Sequence, residues 1–225
     1  MAPPIDDSAP PDRFGQIAVT GIGRVPVEPD LADLRLGVST TRPTVEAARA
    51  ASAATMTAIL AALDAADVSR RDVQTALLSV QPLYDYRDGR APTLTGYQLA
   101  DVVAVTVRDI ARVASVIDGA LQAGATSLDG LSFRVADASA PEREARLAAM
   151  AAARDRADDL AGAAGLTIVG VGDIVEDGAG RPPMALAKGE RMALAADVAT
   201  PVEAGSLEVV VRVSVTYRTR PTSGA

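Results

Sequence analysis

The segment Leu207-Glu-Val-Val-Val-Arg-Val-Ser-Val-Thr-Tyr217 alternates between apolar and polar side chains over most of its length. Successive side chains of a β-strand point to opposite faces of a sheet. One face of this segment must therefore be buried while the other meets water. The pattern predicts a half-buried strand near the end of the chain, and we expect it to pair with the first strand.

Other segments show the same period of two. Ile17–Val25 and Leu34–Thr40 alternate on either side of the break at Glu28-Pro29-Asp30, and we predict that they pair with each other. A long hairpin is expected further along, with Asp88-Gly89 in its loop. The remaining predicted strands are 77–84 and 97–107, which form that hairpin, then 127–135 and 166–175.

Three helices are predicted between these strands. The first covers about 43–66, is capped by Thr44, and has a face of Val45, Ala48, Ser52, Met56, Ile59 and Leu63. The second follows a cap at Asp109, places Ile110, Val113, Ile117 and Leu121 on one face, and ends at Gly124. The third opens with a capping box, Ser139-Ala-Pro-Glu142, and runs to Gly165 with its alanines inward.

This order of elements predicts an α+β fold with an antiparallel or mixed sheet packed against about three helices. One domain, possibly of two subdomains, is expected over 16–219. Residues 1–15 are predicted to be a disordered leader, 220–225 a disordered tail and 178–204 a long mobile insertion.

The composition excludes several classes of function. The 225 residues contain no histidine, cysteine or tryptophan, so a His-dependent triad, a Cys–His pair and zinc or iron–sulfur sites with His or Cys ligands are excluded. We expect no enzymatic activity and no catalytic residues. The net charge of −7 opposes binding to nucleic acid. With no run of 18 apolar residues, no integral membrane segment is expected.

Two glycine motifs resemble the start of a nucleotide site but do not complete it. Gly21-Ile-Gly23 and Gly170-Val-Gly172 lack the third glycine of a dinucleotide fingerprint, because Pro26 and Val175 stand there. Glycines that relieve crowding or permit a bulge explain them better. Neighbouring acids such as Asp158 and Asp159 do not follow a calcium-loop pattern. We therefore expect neither a cofactor nor a metal.

Two alternatives remain open for a site. The predicted hairpin tip gathers Tyr84, Tyr86, Arg87 and Arg90, and with Tyr97 these side chains could form the mouth of a small-ligand pocket. Turn residues alone would also explain this composition. A carboxylate-based hydrolase is the second alternative, and it requires two carboxyl groups about 5 to 9 Å apart in a cleft.

In their order and spacing, several short motifs resemble the SIMPL-domain family over residues 16–219. They are Ile17–Val25 with Glu28-Pro29-Asp30, Gly37-Val38, Gln81-Pro82-Leu83-Tyr84, Gly96-Tyr97-Gln98, Gly124-Ala125, Leu131-Ser-Phe133, Glu144-Ala-Arg146, Gly165-Leu166, Thr200-Pro-Val202 and Gly205.

The resemblance implies a bacterial periplasmic, secreted or cell-envelope protein of the immunogenic and oxidative-stress-defence group. It also implies self-assembly, and we expect a homo-oligomer. The family has no established catalytic residues to carry over. Because the N-terminal residues do not show the layout of a signal peptide, a cytoplasmic location is expected if that absence is native.

Overall fold

A computed structural model describes residues 15–86, 91–177, 183–185 and 200–222. Within these ranges the chain forms three α-helices and two four-stranded sheets, which confirms the predicted α+β class. The elements are β1 (Gly15–Val27), β2 (Leu31–Arg42), α1 (Val45–Ala65), β3 (Val73–Asp85), β4 (Thr93–Val107), α2 (Val113–Gln122), β5 (Ser127–Arg134), α3 (Ser139–Ala163), β6 (Leu166–Asp177), β7 (Met184–Ala185) and β8 (Leu207–Pro221).

The elements divide into two compact units. Unit 2 contains the antiparallel sheet β3-β4-β2-β5, with α1 and α2 packed on one of its faces. Alternate residues of β2 and β4 enter this core because a strand presents every second side chain to the same face. Fully buried side chains at its centre include Leu34, Leu36, Ile59, Val105 and Ile117.

Unit 1 contains the sheet β1-β8-β6, with β7 also paired to β8, and the helix α3. The strict alternation of β8 is visible in its burial, because Val209, Val211, Val213, Val215 and Tyr217 all lie in the core. As predicted, β8 pairs with the first strand of the chain. It also pairs with β6 on its other side, in antiparallel register.

The contact between α3 and β1 is unusually close. Every fourth residue of the helix along one stripe is a buried alanine, namely Ala145, Ala149, Ala153, Ala157 and Ala161. A Cβ added to Gly21 would overlap the carbonyl oxygen of Ala149, and one added to Gly23 would overlap that of Ala145. The two glycines therefore relieve crowding between strand and helix, as the sequence indicated.

The predicted pairing of 17–25 with 34–40 is wrong. β1 lies in the sheet of unit 1, whereas β2 pairs with β4 and β5 in the sheet of unit 2. The two strands are separated by the break at 28–30, where the chain passes from one sheet to the other. Periodicity specifies which face of a strand is buried but not which strand lies beside it.

The helix caps agree with the sequence only in part. The Thr44 hydroxyl accepts a hydrogen bond from the Ala47 amide at 3.2 Å, which confirms the predicted cap of α1. At α3 the predicted capping box is wrong, because the cap position is Ala138 and its side chain makes no cap. The Asp137 carboxylate instead accepts from the Ser139 amide at 2.9 Å. Asp109 caps a short 3-10 turn that precedes α2.

Several predicted segments fall partly outside the described residues. Residues 1–14 of the predicted leader and residues 223–225 of the predicted tail lie outside the described residues. Gly15, the last residue of the predicted leader, begins β1. Of the insertion, 178–182 and 186–199 also lie outside. Within the part that is described, the Thr200 hydroxyl donates to Asp118 at 2.7 Å and Val202 packs against the core of unit 2.

Among the helices in the described ranges, none is long and apolar enough to cross a membrane.

Asp101 on β4 is a partly buried carboxylate beside the core of unit 2. It lines a cavity of about 250 Å³ together with Met56, Leu60 and Arg70. Within the described part of the chain it makes no hydrogen bond or ion pair, and burial raises its pKa above the ordinary value. The folded state therefore favours the protonated form of this side chain.

We predict that Gly21→Ala lowers the free energy of unfolding by about 1–3 kcal/mol, because its Cβ meets helix backbone that cannot move aside locally. Gly162→Ala is the matched control, since it lies in α3 with open space around its Cβ. Helix propensity predicts that this control raises stability by up to about 1 kcal/mol. Urea unfolding followed by circular dichroism measures both, and equal stability of Gly21→Ala and wild type would contradict the close packing.

We predict that Asp101→Asn raises the melting temperature at pH 7 but not at pH 3. Because the folded-state pKa is raised, stability falls as the pH rises above the ordinary pKa of aspartate and the buried group must ionise. Asparagine removes that penalty at neutral pH, while at pH 3 the native carboxyl is itself largely protonated. Asp173→Asn, on an exposed aspartate, serves as the control. A similar rise in melting temperature at pH 7 and pH 3 would show that burial of the Asp101 charge does not cause the stabilisation.

Candidate functional site

The face of the unit 2 sheet opposite α1 and α2, which we call the open face, carries a polar cavity. Side chains such as Arg35 point there because the neighbouring Leu34 and Leu36 point into the core. The cavity has a volume of about 470 Å³ and is formed by residues of β2, β3, β4 and β5 together with the segments that flank β3 and β4. Among the described residues, its charged lining consists of Arg35, Arg71, Arg108, Arg134, Asp33, Asp72 and Asp129.

Asp72 and Arg108 form a two-point ion pair at one end of this cavity. The Arg108 Nε and Nη2 atoms donate to the two carboxylate oxygens at 2.8 and 2.6 Å. The Asp72 side chain is only 6% exposed. The hydrogen bonds from Arg108 hold the pKa of Asp72 below its ordinary value. This carboxylate is therefore ionised at neutral pH and already occupied by a cation.

Asp33 and Arg134 form the second pair, across neighbouring strands β2 and β5. Arg134 donates from Nε at 2.6 Å and from Nη2 at 3.4 Å, and the Thr106 hydroxyl donates at 2.7 Å. Burial acts to raise the pKa of Asp33, but the hydrogen bonds from Arg134 and Thr106 outweigh it and the pKa is lowered. Neither Asp33 nor Asp72 holds a proton that it could donate at neutral pH.

The tyrosines of the alternative ligand site lie elsewhere. Tyr84 and Tyr86 form a tilted pair with ring centroids 6.3 Å apart, and both are exposed. Tyr97 lies in β4 opposite Pro82. None of the three lines the open-face cavity or the cavity beside Asp101. The other two members of the predicted pocket, Arg87 and Arg90, lie outside the described residues.

The outer strands β3 and β6 have apolar side chains that no helix covers. Leu78 pairs with Asp101 and Val80 with the buried Leu99, so both point to the helix side of the sheet, yet Leu78 is 64% exposed. In unit 1 the same relation holds for Ile174, which pairs with the buried Val215 and is 51% exposed. In unit 2 the helices α1 and α2 cover β2 and β4, and these side chains of β3 stay exposed. In unit 1 the helix α3 packs most closely on β1, and these side chains of β6 stay exposed.

The charged cavity was not predicted from the sequence. Its residues come from four separated segments, and no short motif joins Arg35 to Arg71 or Arg108. The one local signal is the alternation of Asp33 and Arg35 with buried leucines, which marks a strongly charged strand face. Among the residues that the structure describes, no group of three or more acids is placed to hold a metal ion.

The sequence matches one family model and several known bacterial proteins. The model of the SIMPL family, described as a protein of unknown function (DUF541), matches residues 17–217. The 26 kDa periplasmic immunogenic protein of Brucella melitensis is 36% identical over 212 residues, which cover 90% of this chain and 84% of that protein. The uncharacterized protein YggE of Escherichia coli K12 is 32% identical over 145 residues, covering 64% of this chain and 58% of that protein.

The family match extends from β1 into β8 and so includes the described elements of both units. The similarity to the Brucella protein covers nearly the same span at a level that implies a shared fold. On this evidence, the chain belongs to the SIMPL family.

Proposed function

We propose that this chain is a non-enzymatic, self-assembling protein associated with the bacterial envelope, and that its copies join through the open outer strands. The observation that carries this proposal is the uncovered apolar surface of β3 and β6. Support for the location comes from the name of the Brucella relative, a periplasmic immunogenic protein.

An outer strand is suited to pairing with another chain because its backbone N–H and C=O groups on the free side have no partner within the sheet. β3 is such a strand, since among the strands that the structure describes it pairs only with β4. It does not carry the lysines that often protect edges, and Leu77, Leu78 and Val80 are all exposed along it. Burial of each large apolar side chain contributes about 1.5–3 kcal/mol. A second copy would supply both the hydrogen bonds and the apolar cover.

β6 offers a comparable edge in unit 1. Val169, Val171, Ile174 and Val175 are all exposed along it. A protein with two such edges can join copies through two different strands, which permits closed rings or larger assemblies when the geometry closes. We therefore assign β3 and β6 as the main contact surfaces.

A carboxylate-based hydrolase receives less support from the described residues. Such an enzyme needs one acid that keeps its proton at working pH, and the cleft must hold it near a second carboxylate. The pKa values of Asp33 and Asp72 are lowered by their arginine partners. Asp101 has a raised pKa but lines a different cavity, which contains neither of those two acids.

Size exclusion with light scattering at several concentrations tests the assembly. We expect a discrete multiple of the 23.0 kDa chain mass. Leu78→Arg and Ile174→Arg should each lower that mass, because a charged side chain cannot be buried in an apolar contact without a partner.

Leu147→Arg is the matched control, since Leu147 lies on the outer side of α3 and is 69% exposed. It should leave the mass unchanged. Circular dichroism should show that all three variants keep the wild-type fold. A monomer at every concentration would overturn the assembly proposal, and an oligomer that resists both strand variants would overturn the assignment of its contacts.

The stress-defence role that the family resemblance implies forms a second part of the proposal. If assembly is needed for protection, cells producing Leu78→Arg should survive peroxide no better than cells lacking the protein, while Leu147→Arg should protect like wild type. If Leu78→Arg and Leu147→Arg protect cells equally well, stress defence does not require assembly. Fractionation of the same cells tests the envelope location.

A further inference from the structure

The charges in the open-face cavity are not balanced by pairs within the protein. Asp72 is bound by Arg108, and Asp33 by Arg134 and Thr106, so two acids and two arginines form closed pairs. The third acid, Asp129, accepts a hydrogen bond from the Ser127 hydroxyl at 2.9 Å. Two arginines, Arg35 and Arg71, remain.

Arg35 has no hydrogen bond and no ion pair with any residue in the described ranges. Among the described acids Arg71 approaches only Asp72, with its Nε 3.9 Å from an oxygen that Arg108 already occupies. The Arg71 side chain is 77% exposed. Because a guanidinium presents its donors in a planar fork that matches a carboxylate or phosphate, these two side chains can bind an anion.

The closed pairs also leave donors available. Arg108 and Arg134 each bind their aspartate through Nε and Nη2, so the Nη1 group of each has no hydrogen-bond partner among the described residues. The two aspartates fix these arginines in place. An anion in the cavity would therefore meet guanidinium groups that are already positioned, which reduces the entropy lost on binding.

A β-bulge lies beside Arg35 and provides an independent observation. Leu34 pairs with Leu131 and Leu36 with Leu128, so two residues of β5, Asp129 and Gly130, lie opposite the single residue Arg35. Gly130 has a φ of +106°, a conformation that side chains other than glycine rarely adopt. Bulges often occur beside functional sites, where they redirect side chains. Here the bulge interrupts the sheet at the wall of the cavity.

We propose that the open-face cavity binds a small solute that carries a carboxylate or phosphate group, through Arg35 and Arg71. The volume of about 470 Å³ lies within the range of small-molecule sites. The four arginines and three aspartates of the lining give the cavity a net charge of +1, whereas the protein as a whole carries a charge of −7. This site is separate from the outer-strand contacts proposed above, and it does not depend on assembly.

Isothermal titration with inorganic phosphate and with citrate, at constant ionic strength and pH 7, tests the proposal. We expect at least one of them to bind saturably at concentrations up to about 10 mM, in the range of a weak specific complex. Binding should weaken as NaCl is added, because the contact is between charges. Preference for phosphate or for citrate would identify the class of ligand.

The double variant Arg35→Gln/Arg71→Gln should weaken binding by about tenfold or more, since it removes two charge-assisted contacts. The control is Arg49→Gln/Arg143→Gln, which changes the net charge equally at exposed positions on α1 and α3. It should bind like wild type. Thermal unfolding of both variants without ligand shows whether the fold is intact.

Two results would overturn the proposal. One is no saturable binding of either anion to wild type. The other is an equal loss in both double variants, which would mean that only the overall charge matters. Because Leu78 does not line the cavity, the Leu78→Arg variant should bind the anion like wild type. Failure of the anion-binding proposal can therefore be distinguished from failure of the assembly proposal.

Discussion

The contact of α3 with β1 is the constraint on which unit 1 depends. Two residues of a strand rise about 6.6 Å and four residues of a helix about 6.0 Å, so glycines two apart can meet alanines four apart. Gly23 faces Ala145 and Gly21 faces Ala149, with strand and helix running in opposite directions. Because glycines and alanines meet at this contact, the helix backbone approaches the strand closely.

The two units share one way of building a core. In each, helices cover part of one face of a sheet while apolar side chains of one outer strand stay exposed, as the burial of Leu99 beside the exposure of Val80 shows in unit 2. Val215 and Ile174 show the same contrast in unit 1. The opposite face of the unit 2 sheet is polar and carries the arginine cavity. Apolar and charged surfaces are thus separated by the alternation of side chains along each strand.

Much of the fold could be predicted because local patterns determine it. The face of α1, the cap at Thr44 and the alternation of β8 each follow from residues close in sequence. The pairing of β1 could not be predicted, because alternation does not specify a neighbour. The cavity could not be predicted either, since Arg35 and Arg71 come together only through the order β3-β4-β2-β5. The local signals for a cap at Ser139 were misleading because Asp137 supplies the acceptor instead.

The central strand of unit 1 is also its last. β8 lies between β1 and β6, whereas every strand of the unit 2 sheet falls within the stretch from β2 to β5. A ribosome releases β1 first and β8 last, so the unit 2 sheet can form while β1 still lacks its hydrogen-bonded neighbour. Pairing across so long a separation is slow, because the entropy of loop closure is lost before the strands gain any contact. The sheet of unit 1 therefore cannot be completed until β8 has been synthesised, whereas the sheet of unit 2 needs no strand beyond β5.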